Sequence, residues 1–417
     1  MFGLYIHIPF CNKRCNYCSF ASFATSDFDE PNKVFDEYIA WLENEIVNYG
    51  KLTNKQAVDT LYFWWWTPHI LWKERILNLI EKVYENFDCK NLVELSFECN
   101  PYPEDYVLDF VDSIQKQFKK VPRVRFSFGI QSFDDEVLKN SGRPYNFVGM
   151  VDFLRHLREY KWDNTVLNFD FIAFGKLNSD WKLRTPTKLK FFEDFVSSHM
   201  ADSFSVYMLE LSKESVWWKL DMKEFLDKKQ VGDDDSRYEE FEILKDILTR
   251  NGYNRYEISN FALTSKSSIH NRIYREMQNY LGLGLSASSF IRSYSDFFGN
   301  ICENHWVKND NLKWLRRTNS KSLTEYVSDP YNNLYEKTEI KESDFLIEEF
   351  FLALRTDLWI TDLSKYESIL VDNYRDLMDK LEENDLLRYF DNKRWIVLTD
   401  QWMNLYNTII TDLLKII

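Results

Sequence analysis

Along the first half of the chain, short runs of β-branched and aromatic residues alternate with longer stretches whose apolar positions recur every three or four residues. The short runs are centred on 5–8, 61–63, 93–97, 124–128, 167–172 and 205–209, and each has the length and residue type of a buried strand. Between them, Val34, Phe35, Tyr38, Ile39, Leu42, Ile46 and Val47 follow the helical period, as do the stretches near 73–86, 104–119, 147–160 and 187–199. Strands alternating with crossover helices predict a parallel sheet with helices outside. Six such units fall short of the eight of a closed barrel. The expectation is α/β: a partial (β/α)6 barrel with its chemistry at the C-terminal strand ends.

The pattern then changes. Residues 236–251 read as a helix, and 252–342 mix short strands with polar loops. Beyond them, 343–353, 363–371 and 374–383 read as helices, 395–399 as a strand, and a last helix follows. Helices followed by a β-wing predict a small winged-helix-like module. The expected division is a barrel core over 1–235, an extension over 236–342 and a mostly helical C-terminal domain over 343–417.

Composition narrows the function classes. With 45% hydrophobic residues in 417, a sizeable core is available, and no apolar run approaches the ~20 residues that span a bilayer. The net charge of −14 argues against nucleic acid or anionic membrane as partner. The first residues run directly into a strand without a basic and apolar leader, so a cytoplasmic location is expected. Six cysteines without a pairing pattern fit a reducing compartment.

Three of these, Cys11, Cys15 and Cys18, stand at C-x3-C-x2-C spacing directly after the first strand and Pro9-Phe10. Thiolates this close on a loop can converge on an iron–sulfur cluster. Three ligands leave one iron of a cubane open to a substrate or cofactor. A zinc site lacking its fourth ligand, or three unrelated buried cysteines, is the competing reading. Cys89, Cys99 and Cys302 read as small buried hydrophobes.

The strand, proline and cysteine spacing resembles the radical S-adenosylmethionine (SAM) superfamily. Several further segments resemble its heme-chaperone branch of HemW type, relatives of oxygen-independent coproporphyrinogen III oxidase. They are Glu98-Cys99-Asn100-Pro101, the run Arg125-Phe126-Ser127-Phe128-Gly129-Ile130-Gln131-Ser132-Phe133, Ser141-Gly142-Arg143, His270-Asn271 with Tyr274, and Leu281-Gly282-Leu283-Gly284. The resemblance implies a [4Fe-4S] cluster on Cys11, Cys15 and Cys18. It implies SAM among Tyr5, Phe20, Trp66, Thr67, Glu98, Gln131, Arg143 and Asp170, and heme or substrate contact at His270, Asn271 and Tyr274. Phe20 stands where the oxidases generally carry a further cysteine, which favours the chaperone branch. Tyr145 replaces the usual histidine two residues after Arg143, Arg275 replaces a tryptophan, and the segment after Asp170 departs from the family pattern at Phe174 and Lys176.

Composition holds one anomaly: only 11 glycines beside 14 tryptophans, against about 7% glycine in ordinary proteins. Where the family has three glycines after its second strand, this chain reads Trp64-Trp65-Trp66-Thr67-Pro68. Trp359 and Trp402 likewise stand on family glycines. Three indoles, each ~150–250 Å2 when packed, cannot share the space that glycines leave for a cofactor. Five exchanges in one direction point to a UGA codon read as glycine in the source and written here as tryptophan. Genuine tryptophans would instead mean a relative that has lost the cofactor.

The expected function is a radical SAM protein that binds heme and delivers it to an acceptor protein, served by an electron donor. Coproporphyrinogen oxidation is the alternative within the family, and a noncatalytic heme-binding scaffold is the alternative outside it.

Overall fold

In a computed structural model, the residues described are 1–64, 72–175, 186–211, 215, 231–292, 314–329, 334–357, 360, 362–369, 374–390, 395–404 and 406. Trp65, Trp66, Thr67, Lys176, Cys302 and Trp359 lie outside them; of the expected last helix, 400–404 and 406 are described and are helical.

The six expected strands are present as β1 (Phe2–His7), β2 (Thr60–Trp64), β3 (Glu94–Cys99), β4 (Val124–Gln131), β5 (Thr165–Ala173) and β6 (Ser203–Met208). They pair in parallel in sequence order. Residues facing the helices, such as Leu4, Ile6, Leu61, Phe63, Leu95, Phe97, Phe126 and Phe128, are almost fully buried. Most residues facing the interior are buried or half-buried, which is why the strands read as continuous apolar or mixed runs rather than as clean alternation.

The helices supply the outer layer. Pro31–Leu52 starts with proline at its first turn and buries Phe35, Tyr38, Ile39, Leu42, Ile46 and Tyr49, one apolar stripe at helical spacing. Trp72–Asn86, Glu104–Gln117, Phe147–Leu157 and Pro186–Ser197 follow between the later strands.

The chain beyond β6 extends this same sheet at both edges. After the helix Asp234–Arg250 come β7 (Asn254–Glu257), β8 (Asn260–Ala262), β9 (Asn279–Leu283), β10 (Ser288–Ile291), β11 (Trp314–Asn319) and β12 (Leu334–Ile340). The strand order is β12-β11-β10-β9-β1-β2-β3-β4-β5-β6-β8-β7. Strand β9 runs parallel to β1, with Tyr5 opposite Gly282, so the parallel run has seven strands, one more than the hydrophobic pattern predicts. Gly284 (φ +97°) is required here, because a Cβ would meet the His7 carbonyl oxygen at 2.5 Å.

The C-terminal segment packs a core of its own around Phe350, Leu354, Met378, Leu387, Ile396 and Trp402. Helices Glu342–Ala353 and Tyr374–Glu383 precede an antiparallel hairpin of Leu387–Phe390 with Trp395–Leu398. Within the expected helix over 363–371, the described residues 363–369 form a 3-10 turn, Leu363–Tyr366, and a following turn. Asp400 ties this segment to the rest, accepting from Lys245 and from Arg255 at 2.8 Å each. Among the described residues, no helix is long and apolar enough to cross a membrane.

Candidate functional site

The parallel strands place all their C-terminal ends on one rim, and the cysteine loop rises from the end of β1. Phe10–Cys11 pairs in parallel with Phe23–Ala24, folding the loop back on itself. The amide of Cys18 donates to the Cys15 carbonyl at 3.1 Å, closing a turn between the second and third cysteines. Cys11, Cys15 and Cys18 consequently line one pocket with Lys13, Arg14, Tyr17, Ser22, Asn100 and Arg143. Burial pushes the Cys18 thiol above its usual range.

Two observations bear on what fits this pocket. Among the described residues, no three histidine, cysteine or acidic side chains are gathered closely enough to hold a single metal ion. A mononuclear zinc site requires that convergence. A cubane does not, because each cysteine binds a different iron. The Asn100 Oδ1 atom is buried beside the thiols without a hydrogen-bond partner. An unsatisfied acceptor calls for a hydrogen-bond donor, which a cluster's sulfides do not supply, so this atom speaks for a donor-bearing ligand in the pocket and the three thiols alone speak for the cluster. The donor set fits an iron–sulfur cluster.

Beside this loop lies a polar layer inside the barrel. The Tyr62 hydroxyl on β2 donates to Glu98 on β3. Ser127 on β4 and Asn168 on β5 donate to the two oxygens of Asp170 at 3.0 and 2.8 Å, and Arg125 reaches Ser203 across β5 at 2.8 Å. Burial, reinforced by the Asp170 carboxylate, pushes Glu98 up to about 8. Burial raises Asp170 as well, opposed by its hydrogen bonds and by Arg125. Glu98 therefore carries its proton at neutral pH and can donate as well as accept. Gln131 ends β4 with φ +67° beside a register shift, a backbone state that a non-glycine residue keeps only when its surroundings enforce it.

Aromatic residues fill the rim between β1 and β2. The Trp64 ring lies 4.3 Å from Phe20, 5.5 Å from His7 and 6.2 Å from Tyr5, centroid to centroid. Tyr5 and His7 share a hydrogen bond of 2.8 Å through the His7 Nδ1 atom, and burial lowers His7 to about 4. Of the residues expected around SAM, Tyr5, Phe20, Glu98, Gln131, Arg143 and Asp170 all lie on this side of the barrel or in its upper interior. The indole of Trp64 stands between two of them, and in this respect the chain as written does not fit the cofactor.

His270, Asn271 and Tyr274 go elsewhere. The helix Ile269–Arg275 closes the opposite end of the barrel, with its first amides on the Glu94 carboxylate at 3.0–3.1 Å. Both ring nitrogens of His270 are engaged, Nδ1 with Thr60 Oγ1 at 2.7 Å and Nε2 with the Tyr274 hydroxyl at 2.6 Å. Its ring stacks on Tyr62 at 4.8 Å. Thr60 and Glu94 are the first residues of their strands, so this trio forms the barrel floor, remote from the cysteine rim. Burial lowers His270 to about 3, leaving it neutral. In this arrangement His270 is a buried histidine with both ring nitrogens engaged, the bland alternative to the expected heme or substrate contact.

Tyr62, His7, Asn168 and Tyr145 were not anticipated as site residues. The available signal was strand alternation: Tyr62 is two residues before Trp64, His7 two after Tyr5, and Asn168 two before Asp170.

Residues 5–183 match the profile described as the Radical SAM superfamily, and this part of the chain is a radical SAM domain. Among curated relatives, the chain is similar over nearly its whole length to the heme chaperone HemW of Lactococcus lactis, 26% identical with 97% of this chain and 95% of that protein covered. It is 28% identical to the Bacillus subtilis heme chaperone HemW over 70% of this chain and 71% of the other. It is also 28% identical to the Escherichia coli oxygen-independent coproporphyrinogen III oxidase over 69% of this chain and 61% of that enzyme. The fold matches the solved structure of the E. coli coproporphyrinogen III oxidase HemN, a radical SAM enzyme, with a TM-score of 0.73 at 21% identity, covering 98% of this chain and 89% of the other.

Proposed function

We propose that this chain is a heme chaperone of the HemW type, which holds a [4Fe-4S] cluster through Cys11, Cys15 and Cys18, binds heme and passes it to an acceptor protein in the cytoplasm. The observation that carries the reading is the shared pocket of the three motif cysteines beneath a barrel rim, in a chain similar along nearly its full length to HemW proteins. Phe20 adds support, since it occupies the position where a further cysteine accompanies oxidase chemistry.

The cluster would supply one-electron chemistry, fed by a donor protein. The chain's own contribution is mechanical and electrostatic. The loop buries Cys11 and Cys18, Asn100 offers an acceptor at the pocket wall, and Arg143 donates to Cys15. Trp64 fills the rim where SAM would sit; with glycine there, Glu98, Gln131, Arg143 and Asp170 would be the side chains to hold it. Heme contact is not assigned to His270, whose nitrogens are both engaged.

A second reading, an oxidase that decarboxylates coproporphyrinogen III, is favoured by the similarity to the E. coli enzyme. Anaerobic, reduced holoprotein incubated separately with heme and with coproporphyrinogen separates the two. Stable heme uptake without vinyl product supports the chaperone, and vinyl product overturns it. Heme uptake without transfer to any acceptor would leave a scaffold.

A further inference from the structure

We propose that Arg143, held in place by the phenol of Tyr145, is a positioning residue that fixes the Cys15 sulfur and raises the reduction potential of the cluster. The proposal rests on the cluster reading above and assigns roles that spacing does not give to either residue.

Arg143 is buried, and its guanidinium is committed in three directions. Nη1 donates to Cys15 Sγ at 3.3 Å, Nη2 donates to the Gly129 carbonyl, and Nε donates to the Tyr145 oxygen at 2.5 Å. The Tyr145 hydroxyl donates in turn to the same Gly129 carbonyl at 2.7 Å, and its ring lies 5.0 Å from the guanidinium carbon. The fork therefore cannot turn without breaking a closed set of bonds anchored on β4.

The backbone brings this fork to the cysteine loop. Asn16, next to Cys15, donates its amide to the Ser141 carbonyl at 3.0 Å and its side-chain nitrogen to the Asn140 carbonyl at 2.7 Å. Gly142, between Ser141 and Arg143, takes φ +81°, a turn that delivers Arg143 back towards Cys15. Two hydrogen bonds to Asn16 and one charged contact to Cys15 thus dock the 140–143 turn on the middle of the cysteine loop.

An arginine has five N–H donors, so two remain for a ligand carboxylate while Cys15 is held. Reduction adds negative charge to the cluster. A buried, fixed cation donating to a ligand sulfur stabilises that added charge and raises the potential. Tyr145 matters because a long flexible cation without its anchor would lose this geometry.

The test uses the full chain with its cluster reconstituted anaerobically and without SAM, titrated with dithionite and followed by electron paramagnetic resonance. Tyr145→Phe keeps the ring and removes only the hydroxyl. We expect wild-type iron and sulfide content, a lower potential and altered g-values. Arg143→Lys keeps the charge without the fork and should shift in the same direction; it decides the question if Tyr145→Phe does not retain a cluster. Unchanged potential and spectrum in the variants overturn the proposal. A wild-type chain that takes up no iron or sulfide overturns the cluster reading itself, and the metal content distinguishes the two failures.

Discussion

Phe20 and Trp64 meet edge to face, their ring centroids 4.3 Å apart. The contact joins the cysteine loop to the end of β2 and fills the rim between them with carbon. Glycine at 64 would leave that rim open and the polar interior below it accessible.

The chain carrying tryptophan at positions 64, 65 and 66 is expected to show no saturable SAM binding after cluster reconstitution, and the chain carrying glycine at all three to bind it. Equilibrium dialysis with labelled SAM measures both. Equal failure of the two chains would remove the steric account. The codons at these positions, with 359 and 402, and the intact mass of native protein decide which residue the source uses. At 402 the structure accommodates an indole, fully buried with its Nε1 donating to the Leu354 carbonyl at 3.1 Å.

Replacing Cys11, Cys15 or Cys18 singly by serine is expected to abolish the cluster, whereas Cys89→Ser and Cys99→Ser retain it. Burial pushes Cys89 up to about 12 and raises Cys99 well above its usual range, and neither lines the cysteine pocket. Iron and sulfide analysis with the visible absorption band reads the result. Cluster loss on replacing Cys99 would place a ligand outside the loop.

His270→Ala should destabilise the fold by ~2–4 kcal/mol at pH 7.5, since it removes a packed ring and leaves buried hydroxyls unpaired. The loss should shrink on acidification. Native His270, lowered to about 3, stays neutral while the unfolded chain takes up a proton near pH 6.5. The stability that neutral His270 contributes is therefore complete above that pH and declines below it, by about 1.4 kcal/mol per unit at most. Urea midpoints for both chains at pH 7.5 and 5 give the comparison. A penalty independent of pH would mean that His270 is solvated.

Glu98→Gln runs the other way. Native Glu98, raised to about 8, is mostly protonated at pH 7, where the unfolded carboxyl is ionised. Wild-type stability attributable to this group is full below the unfolded value near 4.5 and falls as pH rises towards 8. The amide variant escapes that loss, so it should gain on the wild type between about pH 4.5 and 8 in thermal denaturation, with no further gain above that. A wild type that gains on the variant as pH rises would mean an ionised, paired Glu98.

Much of the barrel was legible because strand and helix periods are local properties. The cysteine spacing, set directly after a strand, was legible for the same reason. The seventh parallel strand, Asn279–Leu283, was not, because its five residues include Gly282 and resemble an extension loop until pairing with β1 buries them. The partner of the C-terminal strand, Leu387–Phe390, was missed on similar grounds: four residues carry too little periodicity to separate a strand from a loop.

Candidate residues divided along a physical line. His270 and Asn271 belong to a recognisable segment, but a motif does not say which end of a barrel it occupies. Only the docking of the helix Ile269–Arg275 on Glu94 decided that. The sequence by itself determined the alternation of strands and helices, the cysteine loop and the tryptophans on its rim, all written in consecutive residues. The tertiary structure alone decided that Tyr62 meets Glu98 and that Arg143 meets Cys15 from 128 positions away. Those contacts depend on how parallel strands stack in register, and no local pattern encodes that stacking.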